Sequence, residues 1–253
     1  MPIQYARRLT GRHRTSSANR HLSFVLAFVA GATNAGGFLA VQQYTSHMTG
    51  IVSAMADNLA LGGFALVTTG AGALLSFLMG AAATAVMVNY ARRHRLYSEY
   101  ALPLLVEAAL LLCFGTLGGQ LSHIKGLFVP MTVMLLCFIM GLQNAVITKL
   151  SKAEIRTTHL TGAVTDIGIE LGKLFYWNFD RSAGKPEVLA DRSRLKTLCL
   201  LVTFFFVGGI AGALGFKSIG YLSTVPLALI LIGMATVPAA DDLVLLFQKL
   251  RGK

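Results

Sequence analysis

Apolar positions along this chain fall into long blocks separated by short, mostly basic connections. The first block runs from 22 to about 44, and with neutral histidines there is no charge between Arg20 and Asp57. Others follow at about 64–90, closed by Arg92, Arg93, His94 and Arg95, at 101–119, interrupted by Glu107, at about 127–147, at 197–216, and from 221 to about 239. Each approaches the ~20 apolar residues that carry a helix across a ~30 Å hydrocarbon core. Two further pieces, 49–62 and 161–172, would make helices of only roughly 20 Å and fall short of that core. The pattern predicts an all-α integral membrane fold with six transmembrane helices plus two short re-entrant helices.

Composition agrees: of 253 residues, 55% are hydrophobic and only 13% charged, which leaves no room for a large aqueous catalytic domain. The net charge of +11 would fit a nucleic-acid binder until the basic residues are located. With six spans, and both short pieces returning to their own side, 20 of the 22 Lys and Arg fall on one side, leaving only Lys125 and Lys217 opposite. By the positive-inside rule that side is cytoplasmic and holds both termini, so the partner is a lipid bilayer and not nucleic acid. The first block is too long and too poorly terminated for a cleaved signal peptide, so 1–20 is expected to be a retained basic tail, matched by 245–253. Phe175, Tyr176, Trp177 and Phe179 fit an interfacial belt at the start of a cytoplasmic loop spanning about 173–196. Cys113, Cys137 and Cys199 lie inside apolar blocks and read as core residues, neither a disulfide framework nor a metal site.

The chain also repeats itself. Gly31-Ala32-Thr33-Asn34-Ala35 followed by His47-Met48-Thr49-Gly50 returns as Gly141-Leu142-Gln143-Asn144-Ala145 followed by His159-Leu160-Thr161-Gly162. Each copy continues into a short helix and two full spans, giving units at 21–122 and 123–244. Three spans is an odd number, so the two units cross the membrane in opposite senses: an inverted-topology repeat of two three-span units, as in transporters with a midplane site. These motifs, with Arg156-Thr157-Thr158 before His159, resemble the bacterial YoaK-type family of integral membrane proteins, which carry a domain of unknown function. The resemblance covers about 21–244 and implies the bacterial inner (plasma) membrane, but no substrate or activity. This chain departs from the commoner family pattern at Asn34, where relatives often have Asp, and at Ile51, where they often have Asn.

Thr-Gly at a helix start joins a hydroxyl able to N-cap with a residue that lets the backbone turn and a ligand approach. Such ends present unpaired N–H groups and a positive dipole. Two of them from opposite leaflets would frame a site for a small polar or anionic solute. The expected solute-binding set is Asn34, His47, Thr49 and Gly50 with Asn144, His159, Thr161 and Gly162. Plainer roles exist for each: tight helix packing for Thr and Gly, interfacial placement for the histidines, helix clamping for the amides.

The second short helix adds acids. His159, Asp166 and Glu170, spaced by seven and four, share one face, where the first repeat has His47, Ala54 and Asn58. One imidazole and two carboxylates in a partly dry site are expected to titrate together, with at least one carboxyl raised toward neutrality, and to bind protons or cations. The alternative is pairing with Lys149, Lys152, Arg156 or Lys173. Glu107, four residues past Pro103, is the third proton or cation candidate, unless water reaches it from the cytoplasmic interface, and Asp57 reads as solvated.

No nucleophile elbow, phosphate loop or His-Glu-x-x-His is present, so neither enzyme activity nor a cofactor is expected. The function expected is a transporter or channel for a small polar or anionic solute. The alternative is a non-transporting membrane scaffold or sensor whose repeat serves packing. A polar path between the two Thr-Gly ends would favour transport, and a dry, leucine-packed centre the scaffold. A homo-oligomer is compatible with either.

Overall fold

The computed structural model describes residues 15–121, 125–150, 160–176 and 187–251. Within them the chain forms eight α-helices and no strand: α1 (Ser16–Val41), α2 (Met48–Ala60), α3 (Phe64–Arg93), α4 (Ala101–Leu121), α5 (Lys125–Leu150), α6 (Leu160–Phe175), α7 (Arg192–Ile219) and α8 (Thr224–Arg251). A 3-10 turn, Gly220–Ser223, joins the last two. Among the described residues four apolar stretches are long enough to cross a membrane: Ser17–Val41, Phe64–Arg93, Val129–Leu150 and Arg192–Asp242. The last contains α7 and α8 as far as Asp242, and α4 adds a shorter apolar run, Ala101–Thr116. The chain is a helical membrane protein.

Every apolar block coincides with a helix, but the ends differ: α5 and α7 outrun their blocks at both ends, whereas α1 stops at Val41 and α8 starts at Thr224, inside theirs. The Thr15 hydroxyl accepts the Ala18 N–H at 3.2 Å, so α1 starts at Ser16 and includes the polar turn through Arg20 and His21. The Asp191 carboxylate likewise accepts the Arg194 N–H at 2.9 Å and begins α7 before its apolar block. These are N-caps, each satisfying a donor that would otherwise lack a partner. At the far end α8 continues through Pro238, and its Asp242 carboxylate accepts the N–H groups of Tyr97 and Ser98. That contact ties the α3–α4 connection to α8.

Lipid tails are as apolar as leucine, so what turns a helix face toward protein here is small size rather than polarity. On α3 the buried positions are Gly70, Ala73, Ser76, Gly80, Thr84, Val88 and Ala91, a stripe at helical spacing in which Gly70 faces Met55 of α2 and Gly80 and Thr84 face α5. The three most extensive helix pairings are α1 with α7, α3 with α5, and α4 with α8. In the first, a Cβ added at Gly31 would lie 2.0 Å from the Phe205 carbonyl oxygen, and one at Gly208 would lie 2.1 Å from that of Phe28. In the second, Gly80 meets the Phe138 carbonyl and Gly141 that of Phe77, each at 2.1 Å by the same measure. Both pairs are thus built from reciprocal Phe-Xaa-Xaa-Gly steps, with backbones close enough for Cα–H···O contact. One turn on, Gly212 sits against the Ala32 carbonyl in one pair, and in the other the Thr84 hydroxyl donates to the Leu142 carbonyl at 2.9 Å.

Between the pairs, α1 packs on α5 through a leucine-rich core that includes Leu22, Leu26, Leu136 and Leu142, all fully buried. One polar bond crosses it: the buried Gln143 side-chain amide donates to the Leu26 carbonyl at 3.1 Å.

Candidate functional site

The site is built where α1 stops. Gln42 takes a left-handed conformation (φ 56°) and returns its N–H to the Phe38 carbonyl at 2.7 Å, which turns the chain back along α1. The returning loop is fastened by Asn34, whose side-chain oxygen accepts both the N–H of Ser46 at 3.3 Å and its hydroxyl at 3.0 Å. Asn34 is therefore a clasp that sets where α2 begins. His47 occupies the N-cap position of α2 without a side-chain cap bond, and Thr49 is an exposed residue inside the first turn rather than the cap expected of it. The His47 ring lies over Gly50, where a Cβ would come within 2.2 Å of Cδ2 and 2.6 Å of Nε2. In this arrangement Gly50 leaves room for the His47 ring.

A cavity of about 460 Å³ opens between the end of α1, the loop, α2 and α3. Phe38 and Tyr44 stack at its edge with ring centroids 4.5 Å apart. Gln42, Gln43, His47, Asn58 and Thr69 contribute polar groups, with Ile51 and Met55 among the apolar ones, and no Asp, Glu, Lys or Arg lines it. Its lining comes from residues 38–70, so it holds His47 and Gly50 but neither Asn34 nor any residue of the second Thr-Gly set.

In the second half the arrangement differs. Asn144 is buried, and its side-chain oxygen has no partner among the described residues. His159 lies outside the described residues. Thr161 and Gly162 are exposed in the first turn of α6, with nothing among the described residues within 4 Å of a Cβ placed at Gly162. Asp166 and Glu170 share a face as the spacing predicts, but they are engaged. Asp166 pairs with Arg194 of α7 at 2.9 Å, while Glu170 pairs with Lys173 at 2.9 Å and accepts the Asp191 N–H at 2.8 Å.

The expectation of a raised carboxyl on this face fails at Glu170. The Lys173 ammonium first, and the Asp191 N–H second, hold its carboxyl below the usual 4.5. Its immediate neighbours cover it, yet little protein lies beyond them, so desolvation is too weak to reverse the sign. The acidic stripe docks α6 onto the start of α7. Lys173 was within reach of sequence reasoning as an i,i+3 neighbour, whereas Arg194 and Asp191 come from the far side of the loop.

Glu107 stands apart: it is fully buried in α4, and neither carboxyl oxygen has a partner among the described residues. Gln143, passed over as part of a motif, carries the polar bond between α1 and α5. Among the described residues no cluster of His, Cys, Asp and Glu could hold a metal ion.

A family model described as a protein of unknown function (DUF1275) matches residues 22–237. The chain belongs to the DUF1275 family. The match begins inside α1 and ends inside α8, so this family region contains the cavity, the reciprocal helix pairs and Glu107. Neither the curated proteins nor the solved structures contain a match to the chain.

Proposed function

We propose that this DUF1275 protein is a transporter or channel for a small polar solute in the bacterial inner membrane, with the YoaK-type grouping as its finer placement. In this reading six helices span the bilayer, α2 and α6 are re-entrant, both termini are cytoplasmic, and the halves form an inverted repeat. Support for the repeat comes from the pairings: exchanging the halves turns α1–α7 into α5–α3 and leaves α4–α8 as itself. The Phe-Xaa-Xaa-Gly contacts follow the same exchange, Gly31 with Gly141 and Gly208 with Gly80.

The observation that carries the solute reading is the 460 Å³ cavity at the first turn of the short helix α2. It lies within the size range of small-molecule sites and offers amide, imidazole and hydroxyl groups beside an aromatic pair. Without a lysine or arginine in the lining, an uncharged polar solute fits better than an anion. The scaffold reading draws on a different observation, the leucine-packed contact of α1 with α5 and the confinement of the cavity to one half.

Swelling of proteoliposomes after an osmotic step separates the two. Glycerol and urea are expected to enter faster than into protein-free vesicles, acetate is not, and Ala54→Trp, which fills the cavity, should slow entry. Rates equal to those of protein-free vesicles for all three solutes would favour the scaffold.

A further inference from the structure

Asp166 and Glu170 pair with Arg194 and Lys173, and of the three carboxyls singled out in the sequence Glu107 remains. Glu107 is fully buried, and none of its lone pairs meets a donor among the described residues. Such a group is neutral in an apolar interior, because an unpaired carboxylate there is among the costliest arrangements a membrane protein can adopt. Depth follows from helix counting. Glu107 lies 14 residues before the end of α4 and Ile139 lies 14 residues after the start of α5, so where these helices pack both are about 21 Å from their connection. That puts Glu107 roughly one helical turn from the level of Gln143 and Asn144, whose side-chain oxygens also lack partners among the described residues.

Its place in the repeat is one-sided. Aligning Leu102-Pro103-Leu104 with Val225-Pro226-Leu227 sets Ile230 opposite Glu107, so one half has a carboxyl where the other has a hydrocarbon. A packing role would be served by either residue, but only one can carry a proton.

We propose that Glu107 is the proton-binding group of the membrane region: its O–H proton is released to a water molecule as hydronium when water reaches it, leaving the carboxylate, and is taken back when the site closes. The elements packed on α4 are α8, α5, α3 and the 3-10 turn. Among the described side chains their titratable groups are Asp241 and Asp242 on α8, Cys137 and Lys149 on α5, Tyr90, Arg92 and Arg93 on α3, and Tyr221 in the turn. None of them is hydrogen-bonded to Glu107: Asp242 holds Tyr97 and Ser98, Arg92 pairs with Glu99, and Tyr221 meets Phe114 and Phe216 edge-on. The proton is therefore exchanged with water and not with a side chain of these elements. The transport reading gives this proton its use, as the coupling ion, but its binding is testable without any solute.

Dicyclohexylcarbodiimide is an apolar reagent that reacts with protonated carboxyls. The carboxyl oxygen bonds to the carbodiimide carbon, the proton moves to a nitrogen, and acyl migration leaves an N-acylurea. Purified protein in phosphatidylethanolamine–phosphatidylglycerol vesicles should carry this adduct on the peptide containing Glu107, read by mass spectrometry. Its formation should be at least about tenfold slower at about pH 9 than at about pH 6, since the carboxylate does not react. Glu107→Gln should remove the adduct from that peptide. An unlabelled Glu107 at acid pH, or labelling at one rate at both pH values, would overturn the proposal. Because no solute takes part, that outcome would leave the transport reading to the swelling assay.

Discussion

Gly31, Gly80, Gly141 and Gly208 fix how close the paired helices come, since the atoms facing them are backbone carbonyls that cannot swing aside. One added methyl forces a helix pair apart at a cost of about 1–3 kcal/mol. Gly80→Ala and Gly208→Ala should each lower the unfolding temperature in micelles, whereas Gly162→Ala, which meets nothing among the described residues, should not. The four Phe-Xaa-Xaa-Gly steps stand in the sequence at 28, 77, 138 and 205, but reading for polar chemistry passes over them because neither residue carries any. The acidic face of α6 was legible from spacing alone, and its partners were not. Glu170 titrates below 4.5 when folded and near that value when unfolded. Its stabilisation is complete above the unfolded value and lost as pH falls through the folded one. Wild type should therefore melt above Glu170→Gln at neutral pH, and the two should converge as pH falls below the carboxylate range. A gap unchanged at acid pH would show that the ion pair with Lys173 is not its source.

Helices were the most legible element, because blocks of ~20 apolar residues have few other solutions in a bilayer. Their ends were less so: hydropathy marks the part of a helix in hydrocarbon, whereas Thr15 and Asp191 set where hydrogen bonding starts. Which helices pair was invisible to hydropathy, and small-residue contacts decide it. Ala35 Cβ lies 3.8 Å from a Cβ built at Gly209, close to the mean for a disulfide. In a chain whose native cysteines are replaced, Ala35→Cys with Gly209→Cys should cross-link α1 to α7 under mild oxidation. If the halves are equivalent, Ala81→Cys with Ala145→Cys should link α3 to α5 in the same way. Cross-linking of the first pair without the second would break that equivalence.

For the molecule as a whole, the helix pairs each take one member from either half, so neither half would be packed without the other. The proposed repeat rests on the doubled Asn and Thr-Gly motifs, yet the residues of the two copies are used differently. Asn34 and His47 build the loop and cavity of the first half, while Asp166 and Glu170 dock the short helix of the second. Seven and eleven residues past their histidines the two segments hold Ala54 and Asn58 against Asp166 and Glu170, so they differ in chemistry. The central claim is that they cross the bilayer in opposite senses, and sidedness tests it most directly. Leu61 follows α2, and Tyr176 holds the equivalent place after α6; both are exposed. In cysteine-free cells carrying Leu61→Cys or Tyr176→Cys, a membrane-impermeant maleimide added outside should label position 61 at once and position 176 only after the membrane is opened. Labelling of both positions from the same side would contradict the inverted repeat.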